Sequence, residues 1–496
     1  MNLSTIVKRL QDIMWKDQGV DGDAQRIEQM VWMIFLKLFD AKEMEWELLE
    51  SNYVSIIPEK YRWRNWAIDY KNGKALTGDE LTNFIIQLFL TLKDLPVDEN
   101  TDVRGVLVKQ IFTDLNNYMK DGVLIRQVVN LLNYELDLTD FKTRHAFNEI
   151  YETILKDLQS AGRYGEFYTP RAVTDFMVKM IDPKIGDTIA DFACGTGGFL
   201  VSALNHMNVQ ANDISSNNIL QNSFYGVEKK SLPYLLCTTN LLLHDINKPN
   251  IVRGNSLETN VRDYEEKDKF DIILMNPPYG GTEKKSVQLN FPQELRDSET
   301  FDLFMVEIMY RLKDNGKVGI VLPDGILFGT DNAKAAIKKK LLNEFNLHTI
   351  IRLPASVFAP YASIATNLLF FDKTGPTKNV WFYRMDLPSG YKAFSKTKPI
   401  ELKHMEEIIE WWNNRKEIKD IKNDESLTDT WKSKCFTKEQ LIDLNYNLDQ
   451  CGYPMKEDII LSPSETMNNF IKNRELLENK LDEKLKQIIS IIGDLK

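Results

Sequence analysis

Near the start of the chain, apolar residues recur at three- and four-residue intervals. Ile6, Leu10, Ile13 and Met14 fall on one face of a helix. The segments around 29–49 and 103–135 repeat the pattern without strand-like alternation, so residues 1–150 are expected to form an all-α N-terminal domain. From about 160 to 372 the texture changes. Short apolar runs at 187–193 (DTIADFA), 224–228 (FYGVE), 269–276 (KFDIILMN), 316–325 (GKVGIVLPDG) and 348–354 (HTIIRLP) predict strands. Between them lie helix-like stretches such as 302–316 and the run that opens SLPYLLCTTNLLLH after Glu228. Such alternation predicts a doubly wound, mostly parallel Rossmann-like α/β sheet over 151–375, with ligands outside the carboxyl ends of the strands.

Beyond 373 the chain is mixed, charged and aromatic, with a helix expected near 401–417, and 376–460 reads as an extension. Residues 461–496 form an amphipathic helical C-terminal tail. Met467, Phe470, Leu477, Leu481, Leu485, Ile488 and Ile492 repeat at threes and fours, with charges on the other face. The seam suits either a packed terminal helix or an arm that binds a partner subunit.

Composition narrows the picture. With 496 residues, two or three domains are expected. The balance of 62 basic against 72 acidic residues gives a net charge of −10. Self-sufficient DNA-binding proteins usually carry a positive surplus, because phosphate neutralisation dominates their affinity. A chain of this sign that works on DNA must cluster its basic residues or borrow grip from a partner. Cys194, Cys237, Cys435 and Cys451 lie far apart without a CxxC pair, which argues against a zinc ribbon or a disulfide frame and fits a reducing cytoplasm. No metal site is expected. The most apolar stretch, 29–39, is too short to span a bilayer and carries Lys37, and the N-terminus has no apolar h-region, so neither a membrane span nor secretion is indicated.

Candidate chemistry begins after the first predicted strand, in Asp191 and the glycine turn Cys194-Gly195-Thr196-Gly197-Gly198. Such turns bring backbone close to a ligand. No lysine followed by serine or threonine comes after the glycines, which disfavours a phosphate-cradling loop. Asp191 at the strand end suits the ammonium of a methionine moiety. A second carboxylate is needed for ribose hydroxyls, and Glu228 is favoured over Asp213 because a helix follows it. Upstream, Thr169 is placed to cap a helix with Pro170 in its first turn, and Phe167 and Tyr168 are candidate walls of the same pocket.

Asn276-Pro277-Pro278-Tyr279 closes the 269–276 strand. An aromatic amino nitrogen is a poor nucleophile because its lone pair is delocalised. The Asn276 side-chain carbonyl and the Pro277 main-chain carbonyl can accept both amino hydrogens and aim the lone pair at a sulfonium methyl, while the prolines keep these acceptors in place. Tyr279 offers a stacking face for the target ring. These residues define amino-group methylation by S-adenosyl-L-methionine, with adenine, cytosine and glutamine amides all open as targets. A base inside a duplex has to be flipped out to reach such a site.

At this point the chain resembles the modification (methyltransferase) subunits of Type I restriction–modification systems, which are N6-adenine DNA methyltransferases. The likeness rests on GEFYTPR (165–171), DFACGTGGFL (191–200), GVEKK with TTNLLLHDI (226–246), GNSL (254–257), FDIILMNPPYGG (270–281), GKVGIVLPDGILF (316–328) and FAPYASIATNLLFF (358–371). It implies an α/β Rossmann-like methyltransferase domain behind the helical front. Glu166, Phe167, Tyr168, Thr169, Pro170, Arg171, Thr196, Gly197, Gly198 and Glu228 look like cofactor contacts, joining Asp191. Asn255 stands where relatives often have Asp near the cofactor adenine. Asn276, Pro277, Pro278 and Tyr279 look like the catalytic tetrapeptide, and Phe358 lies in a segment that helps hold the flipped base. The implied partners are double-stranded DNA, a specificity subunit, a second copy of this chain joined through it, and a restriction subunit. A solitary DNA amino-methyltransferase and a protein glutamine N5-methyltransferase are the alternatives. The former should carry its own recognition domain and a basic face.

Overall fold

A ten-stranded sheet organises the chain in the order β3-β2-β1-β4-β5-β7-β6-β8-β10-β9. Its strands are β1 (Ile189–Asp191), β2 (Phe224–Glu228), β3 (Asn250–Arg253), β4 (Phe270–Met275), β5 (Leu312–Pro323), β6 (Asn346–Arg352), β7 (Thr366–Asp372), β8 (Asn379–Arg384), β9 (Ile418–Lys419) and β10 (Trp431–Thr437). The pairs from β3 to β5 are parallel, β7 runs antiparallel between β5 and β6, and β6 pairs parallel with β8. This computed structural model describes residues 3–68, 75–98, 100–138, 148, 151–155, 168–329, 331–359, 365–419 and 431–452, with single positions between 464 and 484. It divides into two units, Met1–Gly452 and Tyr453–Lys496.

The central strands are buried on both faces, as a doubly wound sheet requires. Along β4, Ile272 and Leu274 point into one apolar cluster while Ile273 and Met275 point into the other. The same alternation separates Leu368 and Phe370 from Leu369 and Phe371 on β7. The first cluster includes helices Arg171–Ile181, Gly198–Asn208 and Ser231–Leu243; the second includes helix Thr300–Arg311.

The N-terminal region is helical in its described residues. Helix Asp23–Leu49 holds the apolar stretch at 29–39, where every residue but Lys37 is buried. Burial all round explains its hydropathy. Among the described residues no helix is long and apolar enough to cross a membrane. The 103–135 pattern is two helices, Val103–Asp114 and Gly122–Glu135. The Asp121 carboxylate accepts from the Val123 and Leu124 N–H groups and starts the second. Polar contacts join this region to the sheet domain: Lys42 pairs with Asp245, Tyr234 donates to Gln110 at 2.8 Å, and Arg253 at the end of β3 pairs with Asp114.

One helix is shorter than its pattern predicts. The 302–316 stretch leaves the helix at Arg311. Leu312 already pairs with Phe270 of β4, and Asn315 takes a left-handed backbone, φ 65°, inside β5 where the register between β4 and β5 shifts.

Candidate active site

Strand β1 delivers Asp191 to the carboxyl edge of the sheet, where the chain turns through Gly195 and Gly197 into helix Gly198–Asn208. Both glycines have left-handed backbone, φ 54° and 80°. A Cβ on Gly197 would meet Cys237 Sγ at 2.8 Å, and one on Gly198 would meet Arg171 Nη1 at 2.6 Å. Only glycine lets the turn close this tightly. Glu228, at the end of β2, fixes it from outside: Oε2 accepts from the Gly195 N–H at 3.0 Å and Oε1 from the Lys230 N–H at 2.7 Å.

Asp191 is 2% exposed and accepts from the Ala193 N–H at 3.1 Å. Burial, with Glu228 nearby, pushes its carboxyl well above the usual range despite that hydrogen bond. A buried acid in this state gains most from a neighbouring cation. Asp213 instead caps helix Ile214–Gln221 in the open, and does not line the cavity.

Strand β4 ends at Met275, and Asn276 begins the turn. The Asn276 amide is gripped at both ends: Nδ2 donates to Thr169 Oγ1 at 3.1 Å, and Oδ1 accepts from the Tyr279 hydroxyl. Thr169 is therefore committed to the Asn-Pro-Pro-Tyr turn. It does not cap the following helix, whose N-cap residue Pro170 makes no side-chain cap bond.

A cavity of about 270 Å³ lies along these strand ends. Its walls include Thr169, Asp191, Thr196, Gly198, Glu228, Asn255, Asn276 and Pro278. The other predicted residues stand off the wall. Pro277 and Tyr168 are buried, Gly197 faces Cys237, and Arg171 pairs with Glu152 while packing on Gly198. Tyr279 and the buried Phe358 belong to the same apolar cluster. Glu166 and Phe167 lie outside the described residues.

Several wall residues escape sequence reasoning: Lys229, Ser256, Glu283, Thr300 and Phe304. Thr300 and Glu283 come from a strap that folds back over the mouth. The Thr300 N–H donates to the Gly281 carbonyl at 2.9 Å and the Glu283 N–H to the Ser298 carbonyl at 2.9 Å. This pairing of separated segments leaves no periodic trace; position just after the tetrapeptide is the one available signal. No cluster of metal-ligating side chains occurs among the described residues.

The strand order with its reversed β7, the glycine turn after β1 and an acceptor-bearing Asn-Pro-Pro-Tyr turn after β4 make up the architecture of an amino-group methyltransferase. Comparison with known proteins resolves the class further. Residues 142–459 match the N-6 DNA Methylase family and residues 3–132 the HsdM N-terminal domain. The chain is 47% identical to the Type I restriction enzyme EcoEI methylase subunit of Escherichia coli, covering 99% of this chain and 98% of that one. A structure of a modification subunit assigned to a type I restriction enzyme of Vibrio vulnificus YJ016 superposes with TM-score 0.75 at 39% identity, over 88% of this chain and 92% of that one. A chain from a type I restriction–modification assembly gives TM-score 0.79 at 35% identity, over 98% of both. The chain belongs to the N-6 DNA methylase family, among the methylase subunits of Type I restriction enzymes.

Proposed function

We propose that the chain transfers a methyl group from S-adenosyl-L-methionine to N6 of an adenine flipped out of double-stranded DNA, as the modification subunit of a Type I restriction–modification complex. The observation that carries this reading is the convergence of Asn276 with Asp191 and Glu228 on one cavity. Bound there, S-adenosylmethionine supplies an electrophilic methyl group on a sulfonium centre.

The chain's own residues then position and polarise. Asp191 pairs with the ammonium of the methionine moiety, and Glu228 accepts the ribose hydroxyls while holding the glycine turn. The Asn276 side-chain carbonyl and the Pro277 main-chain carbonyl accept the two amino hydrogens and direct the lone pair outward. The Thr169 hydroxyl keeps the Asn276 amide turned so that its oxygen faces away from Thr169. Positioning of this kind contributes about 7–11 kcal/mol to such transfers.

The subunit reading carries its partners with it. A specificity subunit reads the DNA site, a second copy of this chain joins through it, and a restriction subunit completes the complex. The acidic balance, −10, supports a chain that borrows its grip on DNA. The same fold would serve a solitary amino-methyltransferase or a glutamine methyltransferase. Likeness to a methylase subunit along 99% of the chain favours the subunit reading.

The test uses the full chain with its specificity partner and a radiolabelled cofactor. Asn276→Ala should abolish transfer to duplex DNA while leaving the cofactor Kd nearly unchanged; appreciable transfer would sink the mechanism. Without the partner, the wild-type chain should bind duplex weakly and without sequence preference. Tight, sequence-selective binding by the pure chain would favour the solitary enzyme instead.

A further inference from the structure

Three polar side chains, Asn255, Lys229 and Glu283, meet at the far end of the cavity and play different parts. Asn255 follows β3, and its Oδ1 accepts from the Leu257 N–H at 3.3 Å, which starts a short helical turn. That bond fixes the amide orientation, so Nδ2 points the other way and donates to Glu283 Oε1 at 3.3 Å. Asn255 thus presents a donor, rather than an acceptor, towards the strap. Glu283 also receives Lys229 Nζ on the same Oε1, at 3.2 Å. Its side chain is only 9% exposed and lines the cavity. Its second oxygen, Oε2, has no hydrogen-bond or ion-pair partner among the described residues. A largely buried carboxylate with one oxygen clasped by two donors and the other unused is an acceptor held ready for a third donor.

The strand ends order the pocket chemically. Asp191 after β1 and Glu228 after β2 suit the amino-acid and ribose parts of the cofactor, so the base part falls at β3, beside Gly254, Asn255 and the strap. The hydrogen-bond donor an adenine carries is its exocyclic amino group. We propose that Glu283 is the residue that recognises the amino group of the cofactor's adenine, with Asn255 and Lys229 acting to orient its carboxylate. This rests on the S-adenosylmethionine reading and assigns its base specificity to the strap that follows the catalytic turn. The same strap leads directly out of Asn276–Tyr279, so cofactor recognition and the target site share one continuous segment.

The test is calorimetric binding to the full chain, with S-adenosylhomocysteine and its deaminated analogue S-inosylhomocysteine as probes. The analogue differs at the position of the amino group, where it carries an oxygen. The wild type should bind the adenosyl compound about ten- to a hundredfold more tightly, the usual worth of a hydrogen bond to a charged group. Glu283→Ala should bring that ratio near one, and restoring a carboxylate with Asn255→Asp in the Glu283→Ala background should recover part of it. Recovery requires a folded protein, so it separates recognition from damage to the strap. A Glu283→Ala chain that keeps the wild-type ratio, or a double variant that recovers none of it, overturns the proposal. A wild type that binds neither compound overturns the cofactor reading beneath it.

Discussion

The Tyr279 hydroxyl donates a hydrogen bond to the side-chain carbonyl of Asn276, three residues before it. That carbonyl is the acceptor the proposed transfer requires, so without a target base the turn satisfies itself. An incoming amino group competes with the tyrosine hydroxyl for that oxygen, and the ring offers the base a face to stack on. Tyr279→Phe removes the competing donor and keeps the ring, so transfer should stay within about threefold of wild type, a difference under 1 kcal/mol. Tyr279→Ala removes the ring and should lower kcat/KM by roughly 5- to 150-fold, from about 1–3 kcal/mol of stacking. Steady-state kinetics on duplex DNA decide it. Equal losses in the two variants would remove stacking from the account.

Asp191 gives the site a pH signature. Burial raises its carboxyl well above the usual range. The native chain therefore keeps a proton that the unfolded chain releases, and this residue's contribution to stability declines as pH rises. The cofactor ammonium favours the carboxylate form, so binding should release a proton and tighten as pH increases. Asp191→Asn should weaken binding, flatten its pH dependence and make the free protein no less stable at neutral pH. Calorimetry in buffers of different ionisation enthalpy counts the proton. A wild type that releases none, with a flat profile, would refute the assignment.

Much of this arrangement was legible in the sequence where an element obeys one period and ends on an unusual residue. β2 coincides with FYGVE, and the strand leading to Asn276 was bounded to a residue at each end. Asp191, Glu228 and Asn276 could be located because each closes such a strand. β3 was missed because Asn250–Arg253 is a short edge strand with one fully buried residue. β8 and β10 were hidden by the aromatic and charged texture of their region. Thr169 illustrates a different gap. Its setting before Pro170 favours a capping role, yet its hydroxyl is used 107 positions away, on the Asn276 amide. Such a tertiary choice between two local options leaves no mark on periodicity, and Glu283 eluded the sequence for the same reason.

Arg352 at the end of β6 is the pin between the sheet and the segment that leads to the C-terminal unit. It is 2% exposed, and Nη2 donates to Asp449 at 2.6 Å and Asp324 at 3.1 Å while Nη1 donates to the Gly452 carbonyl at 2.8 Å. Asn367 shares Asp324 through its own amide. Arg352→Ala takes the cation away from both carboxylates in a crowded site and should cost about 3–5 kcal/mol. Arg352→Ala with Asp449→Ala should cost less than the sum of the singles, because the partners are removed together. Urea denaturation measures both, and strict additivity would show that the network is not coupled.

The C-terminal unit carries apolar residues in the open. Met467, Phe470, Leu477 and Leu481 are helical and 60–66% exposed, spaced as one seam, while Arg474 and Glu478 form an i,i+4 ion pair at 2.7 Å. Removing such a seam from water contributes roughly 25 cal/mol per Å² of apolar surface, so a partner helix laid along it has a substantial driving force. In the subunit reading the partner is the specificity subunit. A chain ending at Gly452 should retain the cofactor Kd within about twofold, equivalent to less than 0.5 kcal/mol, because the whole cavity lies in the first unit. It should fail to co-elute with the specificity subunit in size-exclusion chromatography. Phe470→Asp in the full chain should weaken assembly in the same direction without altering cofactor binding, since it places a charge on the seam. Normal assembly by both variants would show that the seam is not the docking surface.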